Sequence, residues 1–145
     1  MEKETHYRKL ENMYLVAPCN KYYSPTIKIN EGRAEITIPI SEKFFHANNA
    51  THGSVYFKAA DDAAWFSANS LELDYFLFTA NFTIYLLKPI ISGHLKAIGK
   101  VVYKGKNNFI AESVLYNSKG DQIGRGSGSF IKTKVRLREV NTYSI

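Results

Sequence analysis

The chain has 145 residues, of which 45% are apolar and 22% charged, with a net charge of +6. That length suits one domain able to bury about two-thirds of its unfolded surface, and the composition excludes a disordered or fibrous chain. A single cysteine, Cys19, excludes an intrachain disulfide and favours a cytoplasmic setting.

The opening residues, Met1 to His6, lack the apolar core of a signal peptide. From Glu4 to about Ala17, the residues Tyr7, Leu10, Tyr14 and Ala17 recur at helical spacing, which predicts a short amphipathic helix stopped near Pro18. Thr26 to Asn30 and Arg33 to Ile40 read as two strands joined in a hairpin at Glu31-Gly32. Ser41 to Thr51 is polar and irregular.

The stretch from Ser54 to Asn69 follows His52-Gly53, is rich in alanine and has no further Gly or Pro. It is apolar almost all the way round, so it predicts a helix inside a core. Ser54, Lys58, Asp61, Asp62 and Asn69 share with Trp65 one stripe about 100° wide. Carboxylates on a buried helix are costly unless they are paired or reactive. Lys58 can pair with Asp61 at i+3 or with Asp62 at i+4.

Four strands follow. In Tyr75 to Leu87 the even positions Phe76, Phe78, Ala80, Phe82, Ile84 and Leu86 are all apolar, which predicts one fully buried face and one mixed face. This is also the longest run without a charged residue or a histidine, at 13 residues, short of the about 20 needed for a membrane helix, so no membrane partner is expected. Leu95 to Lys104, Asn108 to Tyr116 and Gln122 to Lys132 continue the pattern, separated by turn-forming sequences. Gly124, Gly126 and Gly128 fall on one face of the last strand, where glycine marks close approach of a helix or ligand. Beyond them Lys132, Lys134, Arg136 and Arg138 alternate on one side of an extended segment, either as a solvated face or to attract a phosphorylated small ligand. No nucleic-acid-binding motif accompanies the charge. The order of elements implies an α+β architecture, a curved antiparallel sheet wrapping one long central helix, within a single domain spanning residues 1–145.

His52-Gly53-Ser54, then Asp61 nine positions after the histidine, then Thr79 ten positions before Pro89, with the late glycine-rich strand, resemble the hotdog-fold thioesterases of the phenylacetate-degradation type. The similarity covers roughly residues 36–131. The resemblance implies the hotdog fold, homodimers that often form homotetramers, and hydrolysis of acyl-CoA or aryl-CoA thioesters at sites on the dimer interface. By position, Asp61 would be the general base or nucleophile, the Gly53 amide the donor to the thioester oxygen, and Thr79 the residue that positions water. His46 stands where the family commonly has Asn, Asn49 where it has Gly, and Ser54 where it has a second Gly. The polar helper is therefore His46 or a nearby amide, Asn48 or Asn49.

The residue chemistry agrees. The start of a buried helix at Gly53 offers free N–H groups, and a carboxylate in an apolar site is a stronger base than in water. His52 either caps the loop or contacts substrate, and Ser54, Asn49, Asp62 and Trp65 are further expected contacts. Lys132, Lys134 and Arg136 are the candidates for the CoA phosphates. No His/Cys spacing fits a metal site, and no cofactor is implied, since CoA enters as part of the substrate. The rival reading is a hotdog protein that binds acyl-CoA or acyl-carrier groups without turnover. A hotdog hydratase is a second rival, without its usual Asp/His pairing.

Overall fold

The computed structural model of the chain describes residues 2–145. Helix α1 (Glu2–Val16) and a 3₁₀ turn (Pro18–Tyr22) precede the hairpin β1 (Thr26–Asn30) and β2 (Arg33–Pro39). After a loop comes the long helix α2 (Gly53–Asn69), then β3 (Tyr75–Leu86), β4 (His94–Lys104), β5 (Asn108–Tyr116) and β6 (Gln122–Arg136), with a 3₁₀ turn at Leu137–Glu139. The six strands form one antiparallel sheet in the order β1-β2-β4-β5-β6-β3. The expected α+β layering is therefore present, with α1 starting two residues earlier than its spacing suggests.

Helix α2 lies across the concave face of the sheet, and its alanines allow the close approach. Ala59, Ala60, Ala63, Ala64 and Ala68 are fully buried. At Gly99 on β4 the helix backbone comes so near that an added Cβ would sit 2.2 Å from the Ala63 carbonyl oxygen. Ser113 on β5 ties the layers by donating to Ala60 O at 2.6 Å. Large aliphatic and aromatic residues from the strands, Ile36, Ile38, Leu95, Phe109, Leu115 and Phe130 among them, complete the core.

The expectation that the even positions of β3 form one buried face is corrected. Leu77 is fully buried while Phe78 is 48% exposed, so the odd residues face the helix at the start of the strand. A register shift between Thr79 and Asn81 inserts an extra residue, after which Phe82 and Ile84 turn inward instead. A one-residue bulge exchanges the two faces, which period-2 counting does not detect. The bulge also allows Thr79 to face the helix.

The glycine stripe of β6 accommodates a neighbouring strand on the side where a Cβ would stand. A Cβ on Gly126 or Gly128 would collide at 2.5 Å with the ring of Phe82, which spans both, whereas a Cβ on Gly124 would lie 3.6 Å from Tyr56 of the helix. The basic stripe ends early too. The chain turns into the 3₁₀ helix at Leu137, which takes Arg138 off the strand, while Arg136 stacks over Tyr75 at 4.9 Å. Asn69, placed on the polar stripe of α2, is fully buried because its amide holds the start of β3: Nδ2 donates to Glu72 O and Tyr75 O, and Oδ1 accepts from Leu77 N.

Candidate active site

Two crevices mark the two ends of the α2–β3 pair. The first, about 350 Å³, is bordered by Lys58, Asp61, Asp62 and Trp65 of α2, by residues 76–79 of β3, and by Met13, Tyr14, Ala17, Cys19 and Asn20. Thr79 Oγ1 donates to Asp61 Oδ1 at 2.9 Å. Burial pushes the Asp61 carboxyl up to about 6; the Thr79 hydrogen bond pulls it the other way, and the neighbouring Asp62 charge adds to the rise. The other carboxylate is spoken for. Asp62 Oδ2 accepts from Lys58 Nζ at 2.8 Å and from the Tyr14 hydroxyl at 2.8 Å. Burial raises the Asp62 carboxyl while the Lys58 ammonium opposes the rise. Lys58 is held in turn over the rings of Tyr14 and Tyr23. Of the two pairings open to Lys58, the structure has the i+4 one, which leaves Asp61 without a salt bridge, while the Lys58 charge acts on it only at longer range and opposes the rise of its carboxyl.

The wall that α1 and the following 3₁₀ turn contribute was not read from the sequence as part of a site. The amphipathic spacing placed Tyr14 on a buried face, but it gave no sign that its hydroxyl reaches Asp62.

The second crevice, about 460 Å³, lies at the N-terminus of α2 and is bordered by His46, Thr51, His52, Gly53, Tyr56 and residues 86–89. His52 is the N-cap of the helix: its Nδ1 accepts from Ser54 N at 3.0 Å and lies 2.8 Å from Ser54 Oγ. None of the hydrogen bonds among the described residues uses the Gly53 N–H, so a free donor sits at the positive end of a 17-residue helix. His46 Nδ1 accepts from Asn48 N at 3.0 Å. In the neutral ring that bond leaves the proton on Nε2, making His46 a donor. Asn49 has φ of 58°, a left-handed conformation that Asn tolerates better than most residues, which accounts for Asn at a position where the resembled family has Gly.

Gly53 and Asp61 stand eight residues apart on one helix, about 12 Å along its axis. The structure therefore brings Thr79 to Asp61, with Trp65 bordering the same crevice, and groups His46 and His52 with Gly53. It does not bring the two groups together within one chain. Lys132 and Lys134 border neither crevice; Lys132 pairs with Glu72 at 3.0 Å.

Comparison with known proteins adds the following. Residues 48–123 match the family model of the thioesterase superfamily. A Saccharolobus solfataricus protein described as a candidate esterase is 26% identical over 114 residues, covering 77% of this chain and 81% of its own length. Among solved structures, the E. coli PaaI protein from the phenylacetic acid degradation operon superposes with a TM-score of 0.85 at 21% identity, covering 94% of this chain and 99% of that one. A thioesterase family protein from Silicibacter pomeroyi gives 0.81 at 19% identity, covering 88% of this chain and 97% of that one. At these identities the structural likeness establishes the hotdog fold.

Proposed function

We propose, from the premise that this chain belongs to the thioesterase superfamily, that it hydrolyses acyl-CoA or aryl-CoA thioesters at sites shared between two copies of itself. The observation that carries this reading is the state of Asp61: a carboxylate without a salt bridge, raised to about 6 in an apolar crevice and oriented by the Thr79 hydroxyl. A base poised near neutral pH is suited to taking a proton from water.

Asp61 activates a water molecule placed with the help of Thr79, and the water attacks the thioester carbonyl. The developing oxyanion takes a hydrogen bond from the Gly53 N–H, strengthened by the helix end, with His46 Nε2–H as a second donor in place of the missing amide. The tetrahedral intermediate then expels the CoA thiolate, which takes the proton held by Asp61, and leaves the carboxylic acid. No metal or cofactor enters this scheme; CoA is part of the substrate.

The separation of Gly53 from Asp61 requires a second subunit. Strand β3 is an outer strand of the sheet, with Phe78, Tyr85 and Leu86 each about half exposed or more, whereas the other outer strand, β1, is packed against α1. Two β3 edges meeting antiparallel about a two-fold axis near Phe82 and Thr83 would set Thr79 opposite Leu86 of the partner subunit. Leu86 lies beside Gly53, since a Cβ on that glycine would be 2.9 Å from Leu86 Cδ1. Asp61 of one protomer would then face Gly53 of the partner subunit across one closed cleft, and the homodimer would hold two sites. Such pairing would also cover an unpaired, partly apolar edge.

The test is release of free thiol from a panel of acyl- and aryl-CoA esters by the purified protein, with Asp61→Asn as the control. Turnover that falls by orders of magnitude in the variant supports the reading. A wild type that binds CoA esters and hydrolyses none shows a binding protein instead.

A further inference from the structure

The crevice beside Asp61 runs along α2 toward its C-terminal end, where Trp65 stands one turn past the carboxylate. This indole is fixed. Its Nε1 donates to Leu77 O at 3.1 Å, and its ring packs at 4.6 Å from Phe66 and 5.0 Å from Phe76. Met13 and Phe78 border the same space from α1 and β3. A leucine or methionine wall could rotate aside for a longer ligand. Trp65 can do so only by leaving the Leu77 carbonyl unpaired and breaking two aromatic contacts.

Resting on the thioester reading of Asp61, we propose that Trp65 is the end wall of the acyl pocket. The carbonyl carbon must lie beside Asp61, so the acyl group has about one helical turn, about 5.4 Å, before it meets the indole. The chain therefore accepts short straight-chain acyl groups or a single apolar ring and rejects long straight chains. A rigid wall makes the limit steep, because one methylene too many in a closed apolar pocket changes discrimination by about tenfold or more.

The experiment compares wild type with Trp65→Leu on saturated straight-chain CoA esters from butyryl to palmitoyl. It measures kcat/KM, and also the affinity of each ester for Asp61→Asn and for Asp61→Asn combined with Trp65→Leu. The wild type should lose at least about tenfold in both quantities on passing from hexanoyl to lauroyl, and Trp65→Leu should move that limit toward longer chains. Trp65→Phe keeps more of the packing and should move it the same way by less, which keeps the test open if the leucine variant fails to fold. An unchanged length profile in a folded variant overturns the proposal, as does a wild type that prefers lauroyl or palmitoyl esters to hexanoyl. The affinity series separates the two claims. A length limit in binding without thiol release contradicts hydrolysis and leaves the wall standing; thiol release with a flat profile contradicts the wall alone.

Discussion

Thr79 and Asp61, eighteen residues apart in sequence and on different layers of the fold, meet through a 2.9 Å hydrogen bond from hydroxyl to carboxylate. The bond exists because a bulge after Thr79 turns that end of β3 toward α2. Its carboxylate partner makes no salt bridge, since Lys58 is committed to Asp62. A single structural arrangement thus leaves one acid neutralised and the other available as a base.

The first prediction concerns pH. In the proposed reaction Asp61 can take a proton only when ionised, and burial has moved its carboxyl up to about 6. The rate with a short acyl-CoA should rise through that pH and level off above it. A pH–kcat/KM profile checks this, and a rate already at its plateau at pH 4 would contradict it.

The same shift has a consequence for stability. A carboxyl raised from 3.8 to about 6 on folding binds its proton more tightly in the folded chain. Its stabilising contribution is fully present below pH 3.8 and is lost as pH rises through 6. Asp61→Asn keeps an acceptor for Thr79 and removes the buried charge, so at pH 8 it should be more stable than wild type by about 1–2 kcal/mol, with the gain shrinking toward pH 4. Denaturant unfolding at the two pH values measures it. A buried carboxylate that weakens the fold is consistent with the reactive role proposed for it.

Gly53 can lose its donor without losing the helix. It is the first helical residue, where proline is well tolerated, and His52 before it has φ of −64° and ψ of 144°, the conformation a residue preceding proline prefers. Gly53→Pro should keep the fold and lower kcat by about 10²–10³, the effect of removing one oxyanion donor. Gly53→Ala, which retains the N–H, should lose far less. Steady-state kinetics with circular dichroism distinguish the two.

Gly99 tests the packing of the layers. A methyl group there would meet the backbone of Ala63, which cannot give way as a side-chain tip can, so Gly99→Ala should destabilise by about 3 kcal/mol. A denaturation midpoint unchanged from wild type would contradict the account of why α2 is rich in alanine.

Much of this was legible in the residues themselves. The all-round apolarity of Ser54 to Asn69 marked the central helix, and the Glu31-Gly32 turn and the later turn sequences marked the succession of strands along the chain, though not the place of β3 beside β6 at the sheet edge. Asp61 stood out because a charge on such a helix needs a reason. The faces of β3 were misread because a bulge leaves no periodic signature. The Gly126 and Gly128 positions were misread because a phenylalanine on the neighbouring strand, invisible to local counting, fills the space. The partnership of Tyr14 with Asp62 joins residues 48 apart and depends on where α1 docks. Gly99, the glycine against which the helix backbone packs, sits in a stretch where nothing but tertiary structure singles it out.

The central claim is that each site takes Asp61 from one protomer and Gly53 from the other, and subunit mixing tests it most directly. Asp61→Asn and Gly53→Pro are each prepared as inactive homodimers, then dissociated together and reassociated. A mixed dimer places both defects in one site and leaves the other intact, so random reassociation should restore about a quarter of wild-type turnover. No recovery of activity, with mixed dimers shown to have formed, would contradict the shared site.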